Sequence, residues 1–170
     1  MTWSRFVTSV LSIAVIGFLA LGLASTPAIA QANPATANFN VTATVLKDCI
    51  VSATALPFGN YIGAAVNVSS TITVTCTNTT GYTVGLNPGL TTGATVTTRQ
   101  MGITQPAGGL NYSLLTGSFS GTNWGNASGS WVSGTGNGAA QQLTVYGVLP
   151  AGQYPPPGSY TDTITATVTY

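Results

Sequence analysis

Histidine and glutamate are absent from this 170-residue chain, and charge of either sign is almost absent with them: three Lys or Arg against two Asp give a formal net charge of +1. Beyond Arg5, the charged residues are Lys47, Asp48, Arg99 and Asp162. General acid–base and nucleophilic catalysis draw on His, Glu, Asp, Lys and free Cys. No triad or paired-glutamate site assembles from what remains, and an enzyme is not expected. Asp48 and Asp162 read as turn or surface carboxylates rather than a catalytic dyad. Two cysteines without His or Glu leave a zinc shell incomplete, so neither a metal nor a cofactor site is expected. With so few cations the chain cannot neutralise a run of phosphates, which excludes nucleic acid as a partner. After Leu23 no long stretch carries apolar residues at helical spacing, so the expected class is all-β. Surface charge normally resists association, and a chain this poor in it reads as one made to associate.

The first thirty residues have the anatomy of an export signal. Arg5 supplies the positive lead, residues 6–23 are almost wholly apolar, Pro27 breaks the run, and Ala28-Ile29-Ala30 has the small-x-small form of a cleavage site. Residues 1–30 are therefore expected to be removed after Ala30, with Ala28 and Ala30 as the recognised small residues and Gln31 as the new start. An uncleaved anchor is the competing reading, but Thr8, Ser9 and Ser12 dilute the run, so no membrane span is expected in the mature chain. Export places Cys49 and Cys76 in an oxidising compartment, where a disulfide is the expected state. Closing a loop of that length contributes about 3 to 4 kcal/mol in the chain-entropy account.

Polar and apolar residues alternate at both ends of the remaining chain. From Tyr160 onward Ile164, Ala166, Val168 and Tyr170 share the even positions and Thr fills most odd ones, the pattern of a strand with one apolar face. The sequence ends inside that pattern, leaving an edge in need of a partner. Residues 37–45 carry the same alternation with Phe39, Val41, Ala43 and Val45 apolar. The likeness of the two ends invites pairing between chains. Between them, strands are expected at 48–53, 66–76, 82–86, 94–101, 110–115 and 143–148, separated by Gly, Pro and Asn turns such as Asn87-Pro88-Gly89. Short strands at this spacing indicate a β-sandwich. Residues 116–141 read as a long Gly/Ser/Asn loop holding Phe119, Trp124 and Trp131. Its rings either cover the end or core of the sandwich or stack on sugars, and the lack of carboxylates favours the former.

Cys49, the block Leu56-Pro57-Phe58-Gly59-Asn60-Tyr61, Thr73-Val74-Thr75-Cys76, Tyr82 and Arg99-Gln100-Met101 form an ordered set of motifs. Leu110-Asn111-Tyr112-Ser113-Leu114, Trp124-Gly125 and the run from Pro157 to Asp162 continue it. In this order they resemble the spore coat protein U domain family, which includes subunits of archaic chaperone-usher pili; the resemblance covers nearly all of residues 36–170. It implies an immunoglobulin-like β-sandwich (residues 47–170) lacking its last strand, preceded by an N-terminal extension (residues 31–46) that serves as the donor strand of a neighbour. Phe39, Val41, Ala43 and Val45 would be the donor residues; Ile164, Ala166, Val168 and Tyr170 would form the acceptor edge and chaperone contact. The implied partners are identical or related pilin subunits, a periplasmic chaperone and an outer-membrane usher. The implied role is a pilin in transit through the periplasm to a surface fibre for adhesion and biofilm formation. A self-standing secreted coat or matrix protein, and a carbohydrate-binding module using Tyr61, Trp124 or Trp131, are the alternatives.

Overall fold

The computed structural model describes residues 33–103 and 108–170; the expected signal segment and its expected cleavage residues Ala28 and Ala30 lie outside them. Residues 33–42 form a unit described by itself: they join no strand, and all are exposed, Phe39 at 85% and Val41 at 84%.

Residues 43–170 fold as two antiparallel sheets, with no helix among the described residues. Strand β1 (Cys49–Ala53) is the edge of the larger sheet and pairs with β2 (Val66–Cys76). Along β2 the even positions carry the buried Ile72, Val74 and Cys76 while Thr fills the odd ones, as the alternation predicts. β3 (Gly81–Leu86) crosses to the smaller sheet. β4 (Arg99–Ile103) and β5 (Gly108–Thr116) pair at the far edge of the larger one, with β6 (Thr122–Asn123) added to β5. β7 (Val132–Thr135) joins β3, β8 (Gln141–Leu149) lies between β2 and β5, and β9 (Ala166–Thr169) pairs with the other side of β3. The orders are β1-β2-β8-β5-β4 and β7-β3-β9.

Inward residues of both sheets meet in one core in which Val74, Val84 and Leu149 are fully enclosed. Trp124 joins the layers: its backbone N–H donates to Leu114 O of the larger sheet and its indole Nε1 to Val84 O of the smaller, each at 2.8 Å. This indole is core, 1% exposed, and cannot stack on a sugar. Tyr61 is also committed, donating to Pro150 O at 2.6 Å and accepting from Gln153 N at 3.1 Å. Trp131 keeps 39% of its surface.

Three strand expectations need correction. Residues 94–98 are turns, closed by Ala94 N to Thr91 O and Thr98 N to Thr95 O, and pairing starts only at Arg99. The 116–141 loop contains β6 and β7, strands too short and too Gly-rich to show a period. The terminal strand is shorter than its alternation: Thr161 pairs with Gly102 of the larger sheet, and regular pairing to the smaller sheet begins at Ala166. The chain therefore changes sheets between Thr161 and Ala166, keeping the side-chain alternation while leaving the ladder.

Candidate functional site: an open apolar groove between the sheets

The change of sheets leaves a gap. β1 ends one sheet and β9 ends the other; beyond them lies an open groove of about 690 Å³. One wall is Ala53 at the end of β1 with the chain that follows, residues 54–60, and the other is residues 158–164 with Ala166. The floor is core, including Ile72, Leu86, Leu114 and Leu149.

Each wall is held by identifiable chemistry. Leu56 and Phe58 lie over Gly147 of β8, where a Cβ would come within 2.7 Å of Leu56 Cδ2, so glycine is what admits this wall. Phe58 also meets the Tyr112 ring edge-on at 6.0 Å. Farther back, Ser70 Oγ donates to Thr54 O at 2.6 Å, tying the exit of β1 to β2.

The opposite wall is fixed by Asp162. Its Oδ2 accepts from the Tyr112 hydroxyl at 2.6 Å, and its Oδ1 from Leu90 N at 2.8 Å and Thr163 N at 2.7 Å. Gly89, at φ +98°, gives the carboxylate room: a Cβ there would overlap it. Asn87 holds the next residues, accepting Thr165 N on its Oδ1 at 2.9 Å and donating its own N–H to Thr165 O at 3.1 Å. Asp162, read from the sequence as a turn or surface carboxylate, thus also anchors this wall to Tyr112 and Leu90.

Beneath this wall lies Arg99, 0% exposed. Nε donates to Asn87 O at 3.1 Å, Nη1 to Val96 O at 2.8 Å, and Nη2 to Trp124 O at 2.7 Å and Asn87 O at 2.9 Å. A planar fork of five donors suits such a set of loop carbonyls. Burial lowers the Arg99 pKa, against the opposing pull of Tyr112 and Asp162. Burial pushes the Tyr112 hydroxyl far above the usual tyrosine range, and its bond to Asp162 pushes the same way. Sequence reasoning missed Arg99, Tyr112 and Asp162 as a set; the one available signal was that two of the chain's few charges stand in it.

The sequence-derived residues fall in different places. Ile164 and Ala166 line the groove. Val168 packs on the core one pair farther along, outside the lining, and Tyr170 is 52% exposed with its hydroxyl 3.5 Å from Asp48 Oδ1. Cys49 and Cys76 are joined, bonding the first residue of β1 to the last of β2. Val45 is 86% exposed, and Ala43 is exposed too. The floor of the groove is apolar, with the polar groups of the lining on its walls and rim, the make-up common to binding pockets.

A chain of the CsuC–CsuE chaperone–tip adhesion subunit pre-assembly complex, from archaic chaperone-usher Csu pili of Acinetobacter baumannii, superposes with a TM-score of 0.55 at 24% identity. The match covers 75% of this chain and 41% of that one, and at such identity it speaks for the fold alone. Protein U of Myxococcus xanthus is 34% identical over 157 residues, 83% of this chain and 88% of that protein. The Spore Coat Protein U domain matches residues 35–167. With nearly the whole sandwich inside that match, the chain belongs to the spore coat protein U domain family.

Proposed function

We propose that this protein is a pilin-like subunit, exported to the periplasm and polymerised by donor-strand exchange into a surface fibre that supports adhesion and biofilm formation. One observation carries the reading: an apolar groove open beside the edge strand β9 and an exposed segment with the matching alternation occur in the same chain. Residues 31–46 are the donor, with Phe39, Val41, Ala43 and Val45 facing the groove of a neighbour. Ile164 and Ala166 line the acceptor, and Val168 and Tyr170 continue its edge. A periplasmic chaperone covers the groove in transit, and an outer-membrane usher is where the donor replaces it.

The energetics suit a long-lived junction. Burying Phe39, Val41 and Val45 at about 1.5 to 3 kcal/mol each, with less for Ala43, gives a gross figure on the order of 10 kcal/mol. Ordering the extension takes back part of it. Main-chain bonds to a strand edge add both affinity and direction.

Deleting residues 31–45 tests the reading. The shortened chain is expected to remain a monomer and to bind a synthetic peptide of residues 33–46, whereas the full chain forms oligomers. If the shortened chain ignores the peptide and the full chain stays monomeric without a chaperone, the protein is instead a self-standing coat or matrix protein, a role its family's description also fits.

A further inference from the structure

A donor segment tethered to its own domain is a hazard to assembly. A short flexible link gives an effective concentration on the order of millimolar, so at micromolar chain an unrestrained extension would fill its own groove roughly a thousandfold more often than a neighbour's. Resting on the donor-strand reading above, we infer that the pairing of Asp48 with Thr77, beside the Cys49–Cys76 bridge, bars the extension from its own groove and reserves that groove for a second copy of this chain.

The bar is one of register. Thr77 N donates to Asp48 O at 2.9 Å and Asp48 N donates to Thr77 Oγ1 at 3.2 Å, so the β1–β2 pairing runs one residue past the disulfide. Cys49 packs against the core and Ala53 lines the groove, whereas Ile50 is 67% exposed: the odd positions of β1 face inward. Folding back on β1, the extension would form a hairpin, and residues directly opposite in a hairpin share a face. Keeping Asp48 in place leaves Leu46-Lys47 as a two-residue loop with Val45 opposite Asp48. That register sets Phe39, Val41, Ala43 and Val45 opposite even positions and turns all four to solvent, because one residue of slip inverts every side chain. It also demands positive φ at one or both of Leu46 and Lys47, neither of them glycine.

The two nearest registers that turn the apolar face inward carry related costs. Val45 opposite Cys49 has the right face but takes Asp48 into the loop and breaks both bonds to Thr77. The disulfide keeps β1 from sliding or peeling to supply slack. A loop of Val45, Leu46 and Lys47 keeps Asp48 and the face but forfeits Val45 and places Lys47 where a left-handed glycine is the rule. A donor from another chain is under none of these constraints.

A single glycine inserted between Leu46 and Lys47 removes the bar. The loop becomes Gly-Lys, the form suited to a type II′ turn, with Leu46 opposite Asp48, Val45 opposite Cys49 and all four apolar residues inward. Phe39 is replaced by the photo-crosslinking analogue p-benzoylphenylalanine in the full exported chain and in the insertion variant, both refolded oxidised over a range of concentrations. The parent is expected to give adducts between chains that fade on dilution. The insertion variant is expected to give adducts to groove residues of the same chain, independent of dilution, with adducts between chains reduced about a thousandfold at micromolar concentration. Self-adducts in the parent, or adducts only between chains in the insertion variant, overturn the inference while leaving the donor reading intact. Absence of groove adducts from position 39 in both proteins removes the donor reading and the inference with it.

Discussion

The Tyr112 hydroxyl donates to Asp162 Oδ2 at 2.6 Å, joining the floor of the groove to the wall where the chain leaves one sheet for the other. Burial, then the bond itself, raises the Tyr112 pKa. In the unfolded chain a tyrosine ionises near pH 10, while in the fold Tyr112 holds its proton to higher pH. Below pH 10 both states hold the proton and the stabilisation is complete; above it the unfolded state alone releases the proton, and stability falls by about 1.4 kcal/mol per pH unit until the folded hydroxyl ionises. Tyr112→Phe is expected to cost about 1 to 3 kcal/mol at neutral pH and to flatten this alkaline limb by one proton. Urea unfolding at a series of pH values from 7 to above 10 reads both, and an unchanged alkaline slope would refute the assignment.

Arg99 holds carbonyls of three separate segments at once. Arg99→Lys keeps the charge but supplies one nitrogen in place of the fork, so at least two buried carbonyls lose their donor at about 1 to 3 kcal/mol each. The expected result is a fall in the denaturation midpoint larger than that of Tyr112→Phe, with near-ultraviolet circular dichroism reporting loosened packing at Trp124, whose carbonyl Arg99 binds. A midpoint within error of the parent would show that the loop carbonyls find water instead.

Ile164 lines the groove and Val168 packs beyond it, which makes a graded pair. Ile164→Asp places a carboxylate on an apolar surface that a donor must desolvate, and is expected to weaken capture of the residue 33–46 peptide by at least about a hundredfold, from several kcal/mol of lost transfer and added desolvation. Val168→Asp is expected to lower fold stability as well, since its site is already partly enclosed. Calorimetric titration with the peptide and thermal melting separate the two, and equal peptide affinity for Ile164→Asp and parent would place the acceptor elsewhere.

Removing the bridge by Cys49→Ala with Cys76→Ala is expected to cost about 3 to 4 kcal/mol from unfolded-state entropy. Because the bridge joins the ends of β1 and β2, amide exchange is expected to rise in β1 far more than in β8. A uniform rise would mean that the bridge acts only on the unfolded chain.

Much of this architecture is legible where alternation is long and uninterrupted. Residues 66–76 read as a strand and are one, because a half-buried strand imposes period two on its sequence. The same rule overextends at the C-terminus, where residues 160–165 keep the alternation without the ladder; what diverts them is a carboxylate bonded to partners 50 and 72 residues away, and no local pattern encodes that. Trp124 is legible in part: the lack of carboxylates favours cover or core over sugar stacking, and the indole is core, but its Gly- and Ser-rich neighbours do not reveal that the loop dips between the layers. Arg99 is the hardest case. A charged residue reads as surface, and its burial rests on carbonyls that every residue carries and no side-chain pattern marks. The groove itself is legible only through the apolar alternation of Ile164 and Ala166, while its walls depend on Gly147 and Gly89 making room for the side chains of Leu56 and Asp162, which no local pattern marks.

The bridge at the start of β1 also decides how the molecule answers tension. A pull from the N-terminal side arrives at Asp48 and Cys49 and would, by pairing alone, peel the five residues of edge strand β1 away one after another. The covalent bond hands that load directly to Cys76 and so to β2, whose pairing with β8 runs from Val66 to Val74 in the middle of the larger sheet. Rupture then has to part β2 from β8 along Val66–Val74 rather than β1 from β2 alone, and rates of forced unfolding, not equilibrium stability, govern survival under load. The cysteines thus turn an edge strand of the sandwich into a bypassed one.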